Sequence, residues 1–249
     1  LIATGNQVYC PATSMNIVTD FTITDPDDTG IDALYIQISQ GYVSGQDQLA
    51  LTGLHPTIVS SWNPTLGKLT LTGVASQPTY TELIAAVKDI KYSSSSSNPS
   101  GIRNFSITVG QANYLPSNGH YYQFIPNLGV TWSSAKNLAQ TSTYYGLQGY
   151  LATITSLDEA KISGEQASGA GWIGGSDEQQ EGVWKWMTGP ETGTIFWNGS
   201  INGSTPNFAF WNSGEPNNLG DENYAHITAP GVGLLGSWND LSNSGGASG

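Results

Sequence analysis

The sequence predicts two domains of different class, an all-β sandwich followed by an α+β domain. Three observations carry this. Residues 1–112 alternate short β-type stretches with turn clusters. From residue 119 onward aromatic residues concentrate and two amphipathic helical patterns occur. The length of 249 residues is enough for two separate cores. The expected boundaries are 1–112 for the first domain, 113–118 for a linker and 119–249 for the second.

In the first half, residues 17–23, 34–39, 68–72, 90–93 and 105–109 show alternation or β-branched runs. Pro26-Asp27-Asp28-Thr29-Gly30, Asn63-Pro64-Thr65-Leu66-Gly67 and the serine-rich run 93–101 separate them as turns or loops. One short helix is expected over 79–87, with Thr79 or Thr81 as its N-cap. Short, evenly spaced strands of this kind suggest a β-sandwich. The order Asp25-Pro26-Asp27-Asp28, then 34–38, then 41–47, then Gly67-Lys68-Leu69-Thr70-Leu71-Thr72-Gly73 resembles the cadherin-like and immunoglobulin-like (Ig-like) repeats of bacterial surface proteins. Asp20, Asp25, Asp27, Asp28 and Asp32 cluster there. Asp25, Asp27 and Asp28 could form a calcium site, and aspartates equally serve turns and caps.

In the second half, Thr131 reads as an N-cap, with Trp132, Ala135, Leu138 and Ala139 on one helical face. Ser156 with Glu159 fits a capping box opening a helix to about residue 166. Strands are expected over 121–126, 150–154, 183–187 and 224–228, followed by a loop-rich, aromatic-rich stretch. Trp184, Trp186 and Trp197 read as core, and His226 as a structural strand residue.

Composition excludes several function classes. There are 19 acidic residues against 7 Lys+Arg, a formal charge of −12, so no basic footprint exists for nucleic acid or an anionic membrane surface. No stretch approaches the ~18 apolar residues of a membrane span. The single cysteine, Cys10, rules out an internal disulfide framework and reads as a small buried residue. His55, His120 and His226 share no metal or triad spacing, so no enzyme is expected.

One constellation carries chemistry. Glu215-Pro216-Asn217, then Glu222, then Trp238-Asn239-Asp240 supply five oxygen-bearing side chains: Glu215, Asn217, Glu222, Asn239 and Asp240. Three carboxylates with two neutral amides suit calcium, which takes about 6 to 8 oxygen ligands. The absence of thiol and imidazole makes zinc a poor match.

With Trp132-Ser133-Ser134-Ala135, Gly149-Tyr150-Leu151-Ala152-Thr153-Ile154 and Trp172-Ile173-Gly174-Gly175, the ordered set over 119–243 resembles a C-type lectin domain. The resemblance implies two helices, small sheets and a long loop region. It also implies a principal calcium site that binds sugar directly and a cis bond before Pro216, a minority choice for X-Pro. Its acid-then-amide order, Glu215 before Asn217, resembles mannose-type members. These take equatorial vicinal diols such as those of mannose, glucose, N-acetylglucosamine or fucose. The resemblance further implies an auxiliary calcium site of Asp177, Glu181, Asn218, Glu222 and Asn223. Ala139, Tyr224 and Asn243 stand where animal members carry cysteines. The family's last strand should follow Asp240, and the tail after Leu241 is too rich in Ser, Gly and Asn to form it.

The expected activity is calcium-dependent binding of cell-surface or environmental glycans, by a fragment of an extracellular, secreted bacterial adhesin. The alternative is an adhesin that uses the lectin-like fold to bind a protein receptor, ice or another surface without sugar.

Overall fold

The computed structural model describes residues 1–167 and 169–245. The chain divides into two compact units, Leu1–Tyr121 and Tyr122–Gly249. Residues 113–118, read as a linker, contain a strand of the first unit, Asn113–Leu115.

In the first unit, Ile58–Asn63, Lys68–Gly73, Ala33–Gln40 and Asn104–Thr108 form a four-stranded antiparallel sheet in that order. A second sheet orders Ser14–Asn16, Ile90–Ser94 and Asp47–Leu51. Alternation sets the faces: Leu34, Ile36, Ile38, Leu69 and Leu71 are buried together with Leu49, Ile90 and Phe21. The helix Tyr80–Lys88 adds Leu83, Ala86 and Val87 to this core. Thr79 caps it: Glu82 N donates to Thr79 Oγ1 at 3.3 Å and Thr79 N donates to Glu82 Oε2 at 2.8 Å.

Three expectations change here. The run 17–23 is not one strand. The chain leaves Ser14–Asn16 and pairs again as Asp20–Thr22 with Ile2–Thr4, because Ile17 N turns to bond Ile90 O. Strands Asp47–Leu51 and Ile58–Asn63 were not expected, because their apolar residues stand side by side (Leu49-Ala50-Leu51, Ile58-Val59) and show no clean alternation. Cys10 is exposed rather than buried, since it opens the turn in which Thr13 N bonds Cys10 O.

The other face of the four-stranded sheet is also buried, but it is polar. Gln37, Ser39, Lys68, Ser106 and Thr108 lie there. Lys68 Nζ donates to Gln111 O at 2.6 Å and to Asn113 Oδ1 at 2.5 Å, and no ion pair reaches it among the described residues. Burial without a carboxylate disfavours the ammonium and pushes its pKa from 10.5 down to about 8.

In the second unit, a five-stranded antiparallel sheet runs Ile195–Asn198, Val183–Trp186, Gly171–Ser176, Tyr224–Ile227, Trp238–Leu241. The helix Trp132–Thr141 starts under a Thr131 cap, and Asn243 bonds its first turn. Asn243 O accepts from Trp132 N at 3.0 Å and Asn243 Oδ1 accepts from Ser133 N at 2.9 Å. The second helix is short, Leu157–Ala160, and continues as a π-helical turn Lys161–Glu165. Its capping box is half formed. Ser156 Oγ accepts from Glu159 N, but the Glu159 carboxylate turns to Thr155 N, Thr155 Oγ1 and Tyr122 OH.

Residues 150–154 form no ladder. They cross beside Gly174 instead, whose N donates to Ala152 O at 2.8 Å. A Cβ on Gly174 would lie 2.1 Å from Thr188 Oγ1, so only glycine permits this approach. The strand Trp238–Leu241 was not expected, and its partner is Tyr224–Ile227. After it, Ser242 to Gly245 form a turn, and residues 246–249 lie outside the described residues. Trp184, Trp186, Phe196 and Trp238 form the centre of the core, with Trp186 stacked on Phe196 at 4.2 Å. Trp197 is only half-buried, its Nε1 turned to Ser200 O.

Lys68 gives a test. Its pKa is lower folded than unfolded, so the unfolded chain binds more protons between pH 8 and 10.5. Thermal stability of the first unit should therefore rise across that interval, and Lys68→Met should abolish the rise. Equal slopes in the two chains, followed by circular dichroism, would refute the buried-charge account.

Candidate functional site

The strand Trp238–Leu241 positions the site through its alternation. Trp238 and Asp240 point inward and are fully buried, while Asn239 is half-buried on the other face. Asp240 Oδ1 accepts from Asn217 N at 3.1 Å and Asp240 Oδ2 from Asn218 N at 2.8 Å. One carboxylate thus ties the strand to the loop that carries Glu215-Pro216-Asn217. The Glu215–Pro216 bond is cis, as the resemblance implies. Ser200 Oγ donates to Pro216 O at 3.0 Å and Glu215 N donates to Asn212 O at 3.1 Å, fixing both sides of the bond.

The loop returns on itself. Asn217 Oδ1 and Glu222 Oε2 both accept from Leu219 N, at 2.8 and 3.1 Å. Asn218 Oδ1 accepts from Glu222 N at 2.7 Å, and Asn218 Nδ2 donates to Glu181 Oε1 at 2.7 Å. Asn218 therefore joins the two groups of sequence-predicted ligands. Asp177, Glu181, Asn218 and Asp240 also line one small cavity. Asp177 is buried, and its Oδ2 accepts from Gly182 N. Asn223 is turned to Asp221 through its side chain.

Electrostatics make this region costly for carboxylates. Burial, then Asp240, then Glu222 push Glu215 from 4.5 up to about 7. Burial first, with Glu181 and Asp240 behind it, pushes Asp177 from 3.8 up to about 6. Burial and Asp240 raise Glu222 as well. In this region three buried oxygens have no hydrogen-bond partner among the described residues: Glu215 Oε2, Asn239 Oδ1 and Asp177 Oδ1. Unpartnered buried acceptors in an acidic pocket suit a hard cation with oxygen ligands. The carboxylates of Glu215, Glu222 and Asp240 are spread more widely than those of the N-terminal group.

In that group, Asp25, Asp27 and Asp28 bring carboxylate oxygens within 4.8 Å of one another, all exposed. Asp25 Oδ1 accepts from Asp27 N and Asp28 N, each at 3.2 Å, which is turn-forming work. Asp20 pairs with Lys88 and Asp32 with Gln77, so these two do not join the group.

The chain has close relatives over part of its length. No family model matches it. It is 37% identical to halomucin of Haloquadratum walsbyi over 221 residues, which are 83% of this chain and 2% of halomucin. C-type lectin domain family 4 member M of Nomascus concolor is 33% identical over 120 residues, 47% of this chain and 25% of that protein. C-type lectin domain family 17, member A of Homo sapiens is 31% identical over 133 residues, 52% of this chain and 28% of that protein. About half of this chain is thus similar to C-type lectins, and the second unit is called lectin-like on that ground. The chain spans a small part of halomucin and about a quarter of the lectins it matches.

Sequence reasoning missed two supports of the lectin-like domain's site. Ser200 and Asn212 hold the Pro216 loop, and nothing in their local sequence ties them to it. A polar residue three positions before Glu215 was the only available signal for Asn212.

The raised carboxylates predict a pH profile for the metal-free chain. Folding holds the Glu215 and Asp177 protons more tightly than the unfolded chain does. Their contribution is thus complete below about pH 4 and is lost as pH rises through about 6 and 7. In EDTA the melting temperature of the lectin-like domain should fall over this range, and Glu215→Gln should flatten the fall. A melting temperature that rises from pH 4 to 7, relative to the variant, would contradict the assignment.

Proposed function

We propose that the lectin-like domain binds carbohydrate in a calcium-dependent manner, without catalysis, as the binding module of an extracellular adhesin whose first unit is an Ig-like or cadherin-like stalk. The observation that carries this reading is the set of three buried, unpartnered oxygens on Glu215, Asn239 and Asp177. Similarity to C-type lectins over about half the chain supports it. Among the described residues no helix is long and apolar enough to cross a membrane.

Glu215, Asn217, Glu222, Asn239 and Asp240 would hold the ion. Asp177, Glu181, Asn218 and Asn223, sharing Glu222, would form an auxiliary site. Calcium would supply a Lewis-acidic centre for the lone pairs of sugar hydroxyls. The carboxylates of Glu215 and Glu222 accept the hydroxyl protons, and the amides of Asn217 and Asn239 donate to the remaining lone pairs. This alternation of acceptor and donor matches two neighbouring hydroxyls of one pyranose. The order of Glu215 before Asn217 favours equatorial diols of the mannose, glucose or fucose type. Asp240 keeps the loop in place through Asn217 N and Asn218 N, so it acts on both metal and geometry.

Glycan-array binding with calcium should disappear in EDTA and in Glu215→Ala. Binding unaffected by chelation would instead favour a protein- or surface-binding adhesin. Because Glu215 and Asp177 hold protons up to about 7 and 6, calcium titrated at pH 6 should release protons and at pH 9 far fewer. Calorimetry in buffers of different ionisation enthalpy reads that difference. The paired exchange Glu215→Gln with Asn217→Asp should move preference toward galactose, and an unchanged glycan profile would show that these two side chains do not read the diol.

A further inference from the structure

The lectin-like domain has a second concavity. A cleft of about 380 Å³ is lined by Thr155, Trp186, Thr194, Asn207 and Phe208. None of these residues lines the cavity of Asp177, Glu181 and Asp240. We propose that this cleft is a second, metal-independent saccharide subsite, taking a neutral pyranose against Phe208 with its hydroxyls on Thr155, Thr194 and Asn207.

The polar atoms of the cleft determine the ligand class. No charged residue lines it, so an ionic ligand finds no counter-charge. Asn207 Nδ2 gives one of its two N–H groups to Ile195 O at 2.9 Å and Asn207 N donates to Thr205 Oγ1 at 3.0 Å, which leaves one side-chain N–H and the Oδ1 acceptor for a ligand. Thr155 Oγ1 gives its proton to Glu159 Oε2 at 2.6 Å, so it too offers only lone pairs. The exposed Thr194 side chain makes no hydrogen bond among the described residues and can donate or accept. Such a surface offers neutral acceptors and donors side by side and calls for a ligand whose groups do both, as hydroxyls do. Aromatic side chains supply an apolar wall for the C–H face of a sugar ring.

The walls are already built. Trp186 stacks on Phe196 at 4.2 Å, and Phe208 packs edge-on to Trp238 at 6.0 Å. A volume near 380 Å³ is at the lower end for small-molecule pockets, which suits one or two sugar rings. An extended peptide is a poor occupant. The neighbouring strand Ile195–Asn198 is at the sheet edge, but its outer groups are taken. Asn198 exchanges bonds with Ser204, Thr205 Oγ1 donates to Phe196 O, and Asn207 donates to Ile195 O. No free edge remains for strand addition there.

The inference stands independently of calcium, and its test separates the two. The whole two-unit chain in EDTA is titrated with methyl α-mannoside and with maltose while amide and indole signals are followed by NMR. The Asn207 side-chain amide and the Trp186 indole N–H should shift, with weak, saturable binding. Asn207→Leu and Thr194→Val, both exposed positions, should each weaken binding about fivefold to tenfold, the worth of one neutral hydrogen bond. Phe208→Ala should abolish it, and the spectra of the two polar variants guard against misfolding. Absence of shifts at these signals at saturating sugar, unchanged affinity in both polar variants, or response to benzyl alcohol but to neither sugar would overturn the proposal. Failure of the calcium reading would leave these shifts untouched and remove only EDTA-sensitive binding in the unsubstituted chain.

Discussion

The Asp240 carboxylate holds the ligand loop to the sheet, and much of the lectin-like domain is arranged to keep it there. It is fully buried, yet it takes two backbone N–H groups from a loop more than 20 residues earlier in the chain. Hydrogen bonds to a charged group are worth roughly 1.5–3 kcal/mol each, which helps offset its removal from water. The strand beneath it is paired with Tyr224–Ile227, and the adjacent Trp238 is locked among Trp186, Phe196, Phe208 and Trp211. Rigidity in the aromatic core is thereby passed to the loop through one side chain. Glu215 and Glu222 lie in the same field, so the acidity that suits a cation is a burden without one.

The first unit handles buried charge differently. Lys68 lies within a polar layer of amides and hydroxyls, where only neutral oxygens from Gln111 and Asn113 receive it. Elsewhere in that unit Asp47 is paired with Arg103 at 2.7 Å and accepts from Tyr92 OH at 2.7 Å. A satisfied pair and a lone ammonium thus occur on one small scaffold.

Legibility in the sequence followed how local the determining contact was. The cap at Thr79, the helix from Trp132 and the inward Trp184 and Trp186 are set by neighbours within a few residues, and they are found where expected. The run 150–154 was misread because its β-type alternation is answered by Gly174 across a gap rather than by a partner strand. The ligand residues could be named from an ordered set of short motifs. What no motif showed was that Asn218 bridges Glu181 and Glu222, or that Ser200 holds Pro216, since both contacts join distant loops. The aspartates near the N-terminus looked like one cluster because they are close in sequence. Lys88 and Gln77, remote in sequence, draw two of them away.

Both borders of the five-stranded sheet are partly covered by the same stretch of chain. Residues 204–207 cover Ile195–Asn198, and Phe210 with Asn212 exchanges backbone bonds with Trp238 on the opposite border. Open sheet borders are templates on which one molecule can zip to another. Covering part of each border with loop residues, rather than with charges, removes backbone groups from that template. The same stretch also carries Phe208 and Trp211 into the aromatic core, so one segment both covers the borders and fills the centre.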